Sequence, residues 1–419
     1  MIALTTVLFI ALAFYAINRE KYFYIFIFVH FVYRLLGHTY TINFCHINLG
    51  FIQLYAQDIF VFCLLIKDLN KVLLIPKRFT SITGYMYLLI ALLSMIIGLI
   101  ANGLNSDMMS DIRTIVYFAI VVIYFSKNGV NFDYIKQYGT VTLTLVGIFC
   151  CACWITSIVG LRLTPTEGMR VIGSDYASIV GIYTIILLFA DLYLNNKHQI
   201  SKRTFLFLLV VVLLQHNSVW MCTLAGCLVI LLEFFCRKGQ YSGRFILQAF
   251  LVVAVIYIAL HLLSSLPIIS QLLSTFDKFQ QISETTNSNY GSFSTRMDVW
   301  VNSLKTLSGF EWLIGEPMGS GYYVRWKLGI WQTIPHSAYV ENIMRVGLLG
   351  CGLLVSNIVC LIFKSIHQKK ILYVAILVAI AVYWINYGYS LEHAIIIGTI
   401  SLLISKSKSL NKIGKEISL

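Results

Sequence analysis

The chain is poor in charge. Asp, Glu, Lys and Arg make up 12% of its 419 residues, against about a quarter in soluble globular proteins. With 58% hydrophobic residues and apolar runs of spanning length throughout, the shortage implies an all-α, polytopic helical membrane protein. Alternation is also lacking. The apolar segments are continuous, which excludes a transmembrane β-barrel. There is no Walker-type phosphate loop, no dinucleotide fingerprint and no internal repeat, so nucleotide-driven energy coupling within the chain is not expected. Of ten cysteines, nearly all lie within spans or at their inner ends, Cys150, Cys151, Cys153, Cys222, Cys227, Cys236, Cys351 and Cys360 among them. Cys45 alone falls on the outer face, so no disulfide framework follows. No His/Cys cluster has zinc spacing; no metal and no cofactor is expected.

What is present is a series of thirteen hydrophobic segments: 2–18, 22–37, 51–66, 84–101, 114–126, 138–160, 175–194, 203–216, 218–235, 245–265, 337–363, 371–387 and 390–404. Several are shorter than the roughly 20 residues a crossing prefers. The first has no basic leader and no small-residue cleavage site, which reads as a retained helix. Lysine and arginine set the expected orientation. One set of alternate loops plus the tail holds 21 of the 31 basic residues. The other face holds eight: Arg113, Arg162, Arg170, Lys278, Arg296, Lys305, Arg325 and Lys327. Arg34 and Arg345 lie inside spans. The richer face is read as cytoplasmic, giving an outer N-terminus and an inner C-terminus. The net charge of +13 follows from this bias and from contact with anionic lipid, so nucleic acid is not an expected partner.

The same parity explains "QHNSVW" (Gln215–Trp220), four polar residues within an apolar run. Phe205–Phe235 as one helix would measure about 46 Å at ~1.5 Å per residue, against a bilayer core of about 30 Å. One crossing would also put "NNKHQISKR" and "CRKGQYSGR" on opposite faces. Two crossings put both inside and leave "QHNS" as a tight outer turn.

The expected organisation is then 1–263, N-terminal transmembrane helices; 264–335, one large outer loop; 336–404, C-terminal transmembrane helices; 405–419, a basic tail. The loop is too long for a connector, and long loops of this kind are usually functional. It runs from "SETTNSNYGSFST" through an amphipathic piece, "RMDVWVNSLKTLSGF", to "WLIGEPMGSGYYVRW" and "PHSAYVENIMRVGLLG". In the amphipathic piece, Met297, Trp300, Val301 and Leu304 follow helical spacing and are expected to lie on the membrane or the bundle.

An arginine, a tryptophan four residues later, "WLIGEPMGSGY" and "PHSAYVENIMRVGLLG" together resemble the signature of the O-antigen polymerase/ligase superfamily. The order of spans, loop and final spans matches that layout over most of the chain. "QHNSVW" resembles a second element, in which an arginine commonly stands at the position of Asn217. The resemblance implies a bacterial inner-membrane enzyme. Its substrate would be a glycan carried on undecaprenyl diphosphate at the periplasmic face. Membrane lipids, a chain-length regulator and a flippase would be its partners.

That chemistry needs a cationic site for the diphosphate, for which the planar arginine fork is suited. It also needs a base for the attacking sugar hydroxyl, a role that fits histidine. With arginines supplying the electrostatics, no metal is required. His336, at the junction of loop and span, is the expected base, and Arg296 the expected diphosphate ligand. Arg170, His216, Asn217 and Arg325 are candidate substrate-binding residues, with Arg113 weaker. Glu167 or Asp175 would neutralise a neighbour. Arg345 has Glu341 at i−4 and is expected to form a local structural pair; Arg34, four residues after His30, raises the same ambiguity.

The expected function is polymerisation of bacterial surface polysaccharide by a metal-independent glycosyltransferase. Two alternatives stand beside it. One is a ligase that transfers the glycan to lipid A-core. The other is a lipid-linked oligosaccharide transporter or flippase, which would call for internal repeats and short outer loops.

Overall fold

A computed structural model describes residues 2–22, 25, 47–48, 53–73, 79–128, 132–158, 174–195, 199–214, 216–238, 293–326, 329–332 and 335–417. The apolar segment 245–265, nearly all of 22–37 and the loop residues 264–292 lie outside these. In chain order the helices are α1 (Ile2–Asn18), α2 (Ala56–Leu73), α3 (Phe79–Asn102), α4 (Ser106–Asn128), α5 (Phe132–Ile158), α6 (Ser174–Phe189), α7 (Lys202–Leu213) and α8 (Asn217–Lys238). They continue with α9 (Phe293–Leu304), α10 (Glu311–Ile314), α11 (Ala338–His367), α12 (Ile371–Asn386) and α13 (Leu391–Ile417). The fold is almost entirely helical, as the sequence implies. Two short antiparallel ladders occur, β1 (Ile47–Asn48) with β2 (Gln53–Leu54), and β3 (Tyr323–Trp326) with β4 (Gly329–Gln332).

Among the described residues, five helical stretches are long and apolar enough to cross a membrane: Ile82–Asn102, Ser106–Asn128, Ala177–Leu194, Asn217–Cys236 and Ala338–His367. Val7–Asn18 and Ile371–Asn386 are apolar but shorter. The second of these stretches begins earlier than the apolar run at 114–126 suggested. Asn105 caps it, its side-chain oxygen accepting from the Met108 amide. A π-helical turn, Ile112–Val116, carries the helix past Asp111 and Arg113. Both charges are matched by partners from other elements, so neither ends the helix.

The helices share one core, running from Phe9 and Phe60 through Tyr124 and Phe125 to Tyr383 and Trp384. Within it α8 packs on α12 and α6, α13 on α4, and α11 on α3. A small second core of Trp300, Leu307, Tyr322, Val340 and Met344 fastens the loop segment to α11. Contacts gather the basic helix ends. Lys67 donates to the Ile17 carbonyl, Lys127 to Tyr85 and Lys370 to the Leu403 carbonyl. Tyr124 donates to Asp68, and Phe125 packs on Tyr22 and against Gly398, so these ends lie together. Asp111, which meets the loop segment, is about 21 Å further along α4 from Phe125 at ~1.5 Å per residue. The lysine-rich end and the loop end are therefore opposite ends of the bundle.

Candidate functional site

The loop end is built on a break in α11. Gly347 has φ 66° and ψ −174°, a combination open essentially to glycine alone. A Cβ there would lie 2.1 Å from the Leu313 carbonyl oxygen. The break frees carbonyls that a continuous helix would satisfy internally. Two outside donors replace the lost bonds: the Glu316 amide donates to the Met344 carbonyl at 2.6 Å, and Ser94 Oγ on α3 donates to the Arg345 carbonyl at 2.6 Å. Gly315, φ 83°, sits against the Arg345–Val346 peptide from the other side. The glycines of "IGEPMGSGY" thus allow two backbones to touch.

Arg345 is the post around which this loop is wound. Its guanidinium lies 2.9 Å from Asp111 Oδ2 and 3.5 Å from Glu316 Oε2. It donates to Ser320 Oγ and to the Gly321 carbonyl, each at 2.6 Å, and stacks 4.1 Å from the Tyr322 ring centroid. Asp111 also accepts from the Gly319 amide at 2.8 Å and from the Tyr322 hydroxyl at 3.2 Å. Burial first, and then the Asp111 charge, push the Tyr322 phenol well above its ordinary pKa, so it is a donor. The expected Glu341 pair is corrected: Arg345 ion-pairs with Asp111 and Glu316, because the loop supplies carboxylate and carbonyl partners from outside the helix.

His336 and Arg296 lie at the same end, above α12. The Trp300 indole on α9 donates to the Pro335 carbonyl at 2.6 Å, and the Ala338 amide donates to the Tyr387 carbonyl at 3.0 Å. Between these two anchors His336 takes a left-handed backbone, φ 50°, unusual for a residue with a Cβ. Its side chain is exposed. Desolvation by the surrounding protein, the larger cause, and the nearby Arg296 charge hold its pKa below the ordinary histidine value. Arg296 donates to the Asn386 carbonyl at 2.8 Å and lies 5.1 Å from the Tyr387 ring centroid. Among the described residues no carboxylate pairs with it. A neutral imidazole and a guanidinium with no carboxylate partner among the described residues therefore share one rim, which can accept a proton and hold an anion.

The remaining candidates divide. Arg113 is held by Asp58, with contacts of 2.9–3.0 Å, and stacks on Tyr55; its charge is matched. The backbone of Arg325 pairs with Ile330 in the β3–β4 ladder, and its side chain is outside the described residues. Arg170, Glu167, Arg34 and His30 lie outside them as well, as does the side chain of Asp175. "QHNSVW" is a helix break as expected. α7 ends at Leu213 and α8 starts at Asn217, whose first-turn amides bond to the His216 carbonyl. Trp220 ties the hairpin shut by donating to the Val211 carbonyl at 2.8 Å. Asn217 is exposed, while His216 is 4% exposed and sits within the fold. The amphipathic face also splits. Trp300 and, in part, Leu304 pack inward, whereas Met297 and Val301 are exposed. Residues four apart share a ridge of a helix, so the two pairs form two ridges.

Polar groups not singled out by sequence motifs line the interior near the site. His393 is fully buried, with Nε2 2.9 Å from Ser178 Oγ. Asn342 accepts from the Tyr87 hydroxyl at 2.6 Å and donates to Tyr389 and to the Ala338 carbonyl. The visible signal was an ionisable or amide residue inside an apolar span, which usually faces the bundle interior. Neither a protein-family model nor any curated protein matches this chain.

Proposed function

We propose that this chain is a bacterial inner-membrane polymerase of surface polysaccharide, working on undecaprenyl-diphosphate-linked repeat units at the periplasmic face. In this reading the chain crosses the membrane thirteen times, with the N-terminus periplasmic, the C-terminus cytoplasmic and residues 264–335 outside. The grouping of lysine-bearing helix ends opposite the loop end supports that orientation, since basic residues favour the cytoplasm.

The observation that carries the reading is the shared rim of His336 and Arg296. An acceptor-sugar hydroxyl attacks the anomeric carbon of the donor glycan, and its proton passes to the neutral imidazole of His336. The bond from that carbon to the diphosphate oxygen breaks, and undecaprenyl diphosphate leaves with the electron pair. Arg296 stabilises the departing negative charge. Arg345 and Asp111 act at a distance, by holding the loop that follows α9.

The test is reconstitution of the full chain in liposomes with a lipid-linked repeat unit as both donor and acceptor. A ladder of lipid-linked chains is expected. Absence of a ladder, with transfer only onto added lipid A-core, would replace the polymerase with the ligase. No transfer with any lipid-linked glycan would remove the enzymatic reading.

A further inference from the structure

Two belts of exposed apolar residues match a membrane thickness on this protein. On α11 the exposed large apolar side chains are Leu348, Leu349, Val355, Val359, Phe363 and Ile366. From Leu348 to Ile366 the helix rises about 27 Å at ~1.5 Å per residue. On α3 the exposed apolar residues between Ile82 and Ile100 again cover about 27 Å. Both lengths are close to the ~30 Å hydrocarbon core of a bilayer.

Both belts end where the loop crosses. Gly347, next to Leu348, touches the Leu313 carbonyl, and Gly98, between Ile97 and Ile100, touches the Met318 carbonyl. The short helix α10, just before this crossing, turns apolar side chains outward: Phe310 is 68% exposed, Trp312 37% and Leu313 42%. Leu313 and Leu348 thus flank one backbone contact, and both are exposed. A phenylalanine, a tryptophan and a leucine at the edge of a hydrocarbon belt have the composition of a membrane-interface anchor.

We propose that α10 is a lipid-inserted wedge: Phe310, Trp312 and Leu313 enter the phospholipid leaflet that surrounds the Gly347 level of α11. The loop segment then rests on the bilayer, and its membrane contact continues the lipid-facing surface of α11 without a gap. This placement depends on the exposed belts alone and holds whether or not the chain transfers glycans.

The full chain, purified and reconstituted in phospholipid nanodiscs, provides the test. It has seven tryptophans, so Trp312 is read as the difference in emission between wild type and Trp312→Phe, a change that keeps an apolar ring. Lipids brominated near the headgroup should reduce that difference emission by about half or more, as expected for an indole at the interfacial level. Lipids brominated near the acyl methyl end should reduce it less. Quenching by aqueous iodide in place of brominated lipid would put Trp312 in water and overturn the proposal. Protection from both quenchers would mean that protein, from this chain or a second copy, covers α10, and would overturn it equally.

Discussion

Arg345 Nε stands 2.9 Å from Asp111 Oδ2, with 0% and 2% of the two side chains exposed. The pair joins α11 to the start of α4, and the glycine-rich loop is closed around it by bonds to Ser320, Gly321, Gly319 and Tyr322.

Removing one member leaves a buried charge without its partner, which typically costs about 3–5 kcal/mol. Arg345→Met and Asp111→Leu should each lower the detergent unfolding temperature sharply and open residues 316–322 to protease. The double variant should be less damaged than either single one, because no fully buried charge is left uncompensated; Glu316, the other carboxylate beside Arg345, is partly exposed. A double variant as unstable as the sum of the two singles would show that the pair is not coupled.

Gly347→Ala should cost roughly 1–3 kcal/mol for its backbone conformation alone, before the clash with the Leu313 carbonyl is counted. Gly352, five residues further along α11, meets nothing within 4 Å. Gly352→Ala should therefore be neutral or stabilising by up to ~1 kcal/mol. Comparing the thermal unfolding of the two variants separates loss of glycine in general from loss of the loop contact.

His336→Ala should lower polymer formation by roughly 10²–10⁴ at equal membrane expression. Because the histidine pKa is held below its ordinary value, activity should be complete at neutral pH. It should fall only as pH drops through that lowered pKa, when the imidazole gains a proton. Arg296→Gln removes a cation that disfavours protonation, so the acid limb of the profile should move to higher pH. An acid limb that stays in place would separate the two residues. Arg296→Lys should keep the limb and still slow transfer, since the forked contact to phosphate is lost.

At the α7–α8 turn, Asn217→Asp places a carboxylate in the first turn of a helix, where the macrodipole favours it. Folding should be preserved. Transfer should drop if the turn faces a diphosphate, while Asn217→Arg should be accepted, charged donors being roughly twice as strong as neutral ones. Full activity of Asn217→Asp, measured as polymer ladders, would remove this turn from the donor site.

The helical membrane class could be read from apolar runs, since burial in lipid leaves a plain compositional mark. So could the break at "QHNS", because a single helix there is too long for a bilayer. The start of α4 could not: Asp111 and Arg113 look like a span boundary until Arg345 and Asp58 are known to match them. The partner of Arg345 is hidden in the sequence for a related reason. Helical spacing proposes only local partners, and Glu341 is the local one, whereas Asp111 arrives from a distant helix. His393 offered no spacing at all; its contact with Ser178 joins α13 to α6. His336 stands at the end of the loop and Arg296 within it, which the sequence displays; the tie of Arg296 to Asn386 and of Ala338 to Tyr387 is tertiary.

The two carbonyls freed at Gly347 bear on how the protein is made. One is satisfied by Ser94, synthesised long before α11, and the other by Glu316, just before it. A carbonyl buried away from water without a donor costs about 1–3 kcal/mol. The broken form of α11 is therefore stable only beside α3 and with the loop already seated. During biosynthesis α11 should leave the insertion machinery as an unbroken helix, and acquire its bend only when the loop segment folds back against α3. Variants that prevent that late step should accumulate as fully inserted chains with a protease-open loop, a defect of maturation rather than of targeting.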